Sequence, residues 1–178
     1  NNELGGVPKD SPAVNYHVLL PTEYSPQHTY PMIVALHSLE RKPDWELKWW
    51  GGTEKAPTQA QRHGYIVIAP EYNSEGDQSF SYSPLTHYRV LQSIRDARRR
   101  FNINSDRVFL SGHGTGADAC FDIGLSHPDV FAGVIPIAGQ IDNFAKKTWR
   151  RNGSYLPWYI IGGQLDRDKF ERNAPTLN

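Results

Sequence analysis

This 178-residue chain has one cysteine, no excess of charge of either sign, and no histidine after His127. Each absence excludes something. A lone thiol, Cys120, cannot close an intrachain disulfide or build a multi-thiolate metal site. With 19 Lys+Arg against 19 Asp+Glu the formal charge is zero, so the basic excess that offsets nucleic-acid phosphate is missing. The only dense basic cluster, Arg95 with Arg98, Arg99 and Arg100, falls inside an amphipathic pattern and reads as a solvated helix face. No apolar run approaches the ~18 residues needed to cross a bilayer. Asn1–Gly6 carries neither the basic nor the apolar region of a signal peptide, and the compartment stays open. No histidine spacing suits zinc, and no metal or cofactor is expected.

What is present is an alternation of short apolar runs with helical windows, the pattern of an α/β domain with a largely parallel sheet. Strands are expected at Tyr16–Leu20, Met32–Leu36, Tyr65–Ala69, Arg107–Leu110, Gly133–Ile137 and Pro157–Ile161. Most are apolar without interruption, as strands covered on both faces are. Pro136 removes one ladder donor and predicts an irregularity or an edge there. Ser83-Pro84 is a helix start, followed by a stripe of Leu85, Tyr88, Leu91, Ile94, Ala97 and Phe101. A second helix is expected from about Thr115 to Ser126, stopped by His127-Pro128. Weaker windows fall at Thr53–His63 and Asp142–Arg150. Residues 1–178 read as one domain.

The informative stretch is Arg107-Val108-Phe109-Leu110-Ser111-Gly112-His113-Gly114-Thr115-Gly116-Ala117, a strand running through a glycine-dense turn into a helix. Gly112 and Gly116 occupy the outer positions of a G-x-S-x-G nucleophile elbow. Pro31–Ser38, Gly64–Pro70, Leu125–Gly139 and Tyr159–Asp166 follow the elbow's neighbours in the same order. In these segments, over roughly residues 14 to 166, the chain resembles the α/β-hydrolase superfamily, in its esterase, polyhydroxyalkanoate depolymerase and prolyl-oligopeptidase-like branch. The resemblance implies a three-layer α/β/α fold with a mostly parallel sheet. It also implies a site in which Asp166 is the triad acid and the backbone amides of Thr115 and of Ser38-Leu39 are oxyanion donors.

Two parts of that site are absent from the sequence. The nucleophile position holds Gly114, and Ser111, three residues earlier, would not project from the tip of the turn. The family order places histidine after the acid, whereas Arg167–Asn178 contains none, so the last strand and histidine loop are expected to be missing from this chain. A base from His37, His87 or His113 would depart from the family's topology. The expectation is a hydrolase scaffold without a working triad in this chain, either a non-catalytic relative that binds a small ester- or peptide-like ligand or part of a longer protein that supplies more of the site. Active ester or peptide hydrolysis by another nucleophile is the alternative.

Other residues invite competing readings. Gly112-x-Gly114-x-x-Ala117 also satisfies a dinucleotide-binding pattern, but the partner acid about 20 residues on is missing. Trp45, Trp49 and Trp50 could line the site mouth as a platform, or belong to a helix packing its aromatics on the core. His37 and His113 border the expected site, or are buried histidines with one backbone hydrogen bond each.

Overall fold

Strands that are apolar on both sides need cover on both faces, and the sheet is built accordingly. The computed structural model describes residues 12–177 other than 75 and 78; Asn1–Gly6 lies outside the described residues. Strands β1 (Tyr16–Leu19), β2 (Tyr30–Leu36), β3 (Ile66–Pro70), β4 (Ile103–His113) and β5 (Gly133–Ile137) lie in the order β1-β3-β2-β4-β5. β1 is antiparallel to β3, and the remaining pairs are parallel. The sixth expected strand is instead a sparsely bridged edge segment, joined to β5 in parallel at Trp158 and Ile161. Its Ile161 amide donates to the Pro136 carbonyl at 2.9 Å, so the proline that cannot donate still accepts.

Helices α1 (Pro43–Gly51), α2 (Gln59–His63), α3 (Pro84–Arg100), α4 (Thr115–Ser126), α5 (Asn143–Asn152) and α6 (Arg167–Leu177) complete the architecture. Strand alternation divides the core in two. Met32, Val34, Leu36, Ile68 and Leu110 meet Val90 and Ile94 of α3 and Ala119 and Ile123 of α4. On the opposite face Ile33, Ala35 and Val67 meet Trp50 of α1 and Ala60 of α2. This is the expected three-layer α/β/α arrangement, each fully buried aliphatic contributing about 1.5–3 kcal/mol.

Local signals account for most boundaries. Ser83 Oγ accepts from the Thr86 amide at 3.2 Å with Pro84 at the first helical position of α3. Asp142 Oδ1 caps α5 by accepting from the Ala145 amide at 2.8 Å. The Thr53–His63 window is helical only over Gln59–His63, because Thr53 and Ala56 exchange two backbone bonds in a turn ahead of Pro57. β2 leads to β3 on one side, after which the chain crosses to β4 on the other. The carboxyl ends of β2 and β4 therefore lie at a switch of strand order, where open α/β sheets place their sites.

Candidate active site

β4 enters the turn through His113, Gly114 takes φ +56° and ψ −118°, and α4 begins at Thr115. The flanking glycines have a steric cause. A Cβ on Gly112 would lie 2.4 Å from the Gly116 carbonyl oxygen, and one on Gly116 would lie 2.1 Å from the Leu36 carbonyl oxygen. Gly112 and Gly116 thus let α4 pack closely against β4 and the end of β2. Gly114 differs, since a Cβ there would meet only Ser38, with Oγ at 3.3 Å. Space exists for a side chain; the backbone angle is what favours glycine, at about 1–3 kcal/mol for other residues.

The structure brings Ser38, Leu39 and Thr115 together beside this turn. The Leu39 amide donates to Thr115 Oγ1 at 2.8 Å, and Thr115 Oγ1 lies 3.5 Å from Ser38 Oγ. One of the two amides expected to face an oxyanion is therefore engaged by a hydroxyl. His37 is buried, with Nδ1 donating to the Ser38 carbonyl at 2.9 Å. Its own carbonyl accepts from the buried Tyr72 hydroxyl at 2.7 Å.

Beneath the turn lies a pair that sequence reasoning missed. Glu46, buried in α1, receives His113 Nδ1 at 2.9 Å, and the His113 ring is flanked edge-on by Trp45 and Trp49 at 4.9 and 4.6 Å. Burial pushes the Glu46 carboxyl above its usual range, with the hydrogen bond from His113 and the nearness of His37 pulling the other way. Among the described residues, His37 Nε2 and His113 Nε2 are buried without a hydrogen-bond partner. Trp49 keeps 42% of its surface exposed beside His113, whereas Trp50, 8% exposed, turns into the core against Ile33 and Val67. The two tryptophans thus divide between the two readings of this helix. The only hint of Glu46 in the sequence is a carboxylate set among three tryptophans, since its partner is 67 residues away.

Asp166 sits in the single helical turn Gln164–Asp166, half-buried, 3.5 Å from Lys169 Nζ. No histidine is bonded to it among the described residues. Lys169 Nζ also donates to the carbonyl of Ala138, a residue with φ +56° just past β5.

A mostly parallel sheet that turns through a glycine hinge into a helix at β4, with an acid-bearing turn after the edge segment, is the α/β-hydrolase fold of esterases and serine hydrolases. No protein-family model matches the chain. Its homologues are acetylxylan esterases and a polyhydroxyalkanoate depolymerase. The chain is 34% identical over 89 residues to a probable acetylxylan esterase A of Aspergillus flavus, covering 45% of this chain and 29% of the relative. It is 25% identical over 120 residues to poly(3-hydroxyalkanoate) depolymerase C of Paucimonas lemoignei, covering 61% and 28%. It therefore spans less than a third of either relative. In structure it resembles a fluorophosphonate-binding serine hydrolase of Staphylococcus aureus, with a TM-score of 0.66 at 16% identity over 92% of this chain and 80% of the other.

Proposed function

We propose that this chain is an esterase-type hydrolase domain that binds an ester- or peptide-like ligand at the elbow without forming an acyl-enzyme. Gly114 carries the proposal, because it occupies the nucleophile position and offers no side chain to attack a carbonyl. Covalent acyl transfer depends on nucleophile, base and orienting acid acting as a unit. Here Asp166 pairs with Lys169 rather than a histidine, and His113 is committed through Nδ1 to buried Glu46. What remains suits binding: the N-terminus of α4, the Ser38 and Thr115 hydroxyls, and the exposed Trp49 ring nearby. Hydrolysis of p-nitrophenyl acetate tests this reading. The domain should release nitrophenol no faster than buffer; turnover abolished by Asp166→Asn would overturn it.

A second reading is favoured by one observation, the Ser38 hydroxyl 3.3 Å from where a Gly114 Cβ would stand. Ser38 would then replace the missing nucleophile. Turnover that survives Asp166→Asn but disappears in Ser38→Ala would establish it.

A further inference from the structure

A separate cavity of about 700 Å³ opens between α3 and the second half of α4, with Tyr82, Pro84, Tyr88 and Leu91 on its walls. Asp122, His87 and His127 also line it. They form a chain: His87 Nε2 lies 2.8 Å from Asp122 Oδ2, and His87 Nδ1 lies 3.0 Å from His127 Nε2. Asp122 is about 10 Å along α4 from the elbow at the helical rise per residue, so this is a second place on the molecule.

With Asp122 ionised and both imidazoles neutral, the hydrogen bonds assign the protons. As a carboxylate, Asp122 can only accept, so His87 Nε2 carries hydrogen and donates to it. His87 Nδ1 is then a lone pair, and His127 Nε2 must donate to it. The last nitrogen, His127 Nδ1, is left as an acceptor, and no protein group among the described residues donates to it. Burial holds His127 below the usual histidine range, which favours the neutral ring and keeps that lone pair available.

A clamp between α3 and α4 would not need this chain. Asp122 is 2% exposed, and an apolar contact would hold two helices as well without the cost of burying a carboxylate. The second imidazole adds nothing to such a clamp. It transfers the orientation set by Asp122 to a nitrogen of a cavity-lining residue. The ten lining residues include the acids Asp122 and Asp142 and no Lys or Arg, which disfavours an anionic ligand. Tyrosine, proline and leucine walls suit an aromatic ring.

We propose that this cavity is a second ligand site that takes a small neutral aromatic ring bearing a hydroxyl, with the hydroxyl donating to His127 Nδ1. Phenol, toluene and benzoate are the probes, titrated into the whole domain with ¹⁵N detection of the imidazole nitrogens. Phenol should shift His127 Nδ1 and bind at least about fivefold tighter than toluene, the ratio one net hydrogen bond supplies, while benzoate should not compete. His127→Phe keeps a ring in place but has no acceptor, and should erase the preference for phenol over toluene. Equal binding of phenol and toluene, binding of benzoate as tight as phenol, or a phenol preference retained in His127→Phe would each overturn the proposal. If His127→Phe fails to fold, the ranking of the three probes and the Nδ1 shift in the unaltered domain decide it alone.

Discussion

The Leu39 amide donates to Thr115 Oγ1 at 2.8 Å, tying the loop after β2 to the first residue of α4. A backbone donor that would otherwise face the elbow is thereby given a partner inside the protein. The link also fixes the loop that carries Ser38 against the helix start.

Replacing Thr115 with Val keeps the shape and removes the acceptor. Leaving a part-buried amide unpaired costs about 1 kcal/mol, a fall of about 2–4 °C in Tm for a chain of this size. Thr115→Ser should lose little. Thermal unfolding of the two variants checks this, and a neutral Thr115→Val would show the amide finds another partner.

The two kinds of glycine at the elbow should respond differently to alanine. Gly116→Ala places a Cβ 2.1 Å from the Leu36 carbonyl oxygen, which only a backbone shift can relieve. Gly114→Ala meets no backbone atom within 4 Å and bears only the cost of its φ of +56°, about 1–3 kcal/mol. Urea unfolding should therefore rank Gly116→Ala as the more damaging substitution. The reverse order would contradict the steric account.

Glu46 makes stability depend on pH in a stated direction. Burial raises its carboxyl in the folded protein, with His113 and His37 opposing. The folded state then holds that proton more tightly than the unfolded chain. Relative to Glu46→Gln, stability should decline as pH rises from the unfolded value, about 4.3, to the raised one. Glu46→Ala, which leaves His113 Nδ1 without its acceptor, should cost about 1–3 kcal/mol. A pH series of urea midpoints that runs parallel for the unaltered protein and Glu46→Gln would contradict this.

His127 acts in the opposite sense. Burial and His87 lower its value in the folded protein, so the unfolded chain binds that proton more readily. Stability should fall as pH drops from the unfolded value, about 6.5, toward the lowered one. In His127→Gln this acid-side slope should flatten, measured by thermal unfolding between those limits. An unchanged slope would contradict it.

How far these features can be read from sequence depends on whether their cause is local. Ser83-Pro84 and His127-Pro128 are local stereochemistry, and α3 and α4 begin and end where they indicate. β5 spans Gly133–Ile137 because its apolar run is unbroken. α6 starts at Arg167, where the flanking carboxylates Asp166 and Asp168 suit a helix N-terminus, and it contains Pro175. β4 is longer than its apolar run because Ser111, Gly112 and His113 carry the strand into the elbow, paired with Ile135, Pro136 and Ile137. Glu46–His113 and Asp122–His87–His127 join elements distant in sequence, and only strand order and helix placement bring them together. The glycine-dense turn at Gly112–Gly116 was legible between a strand and a helix; the engagement of Leu39 by Thr115 was not, because it depends on a side-chain rotamer at the helix start.

We propose above that the elbow of this α/β-hydrolase-fold chain has no nucleophile. Intact-mass measurement after incubation with an alkyl fluorophosphonate tests it most directly. The account predicts an unmodified mass, while a serine hydrolase treated in parallel gains the phosphonyl group. A stoichiometric adduct on this chain, at Ser38 or any other residue, would contradict it.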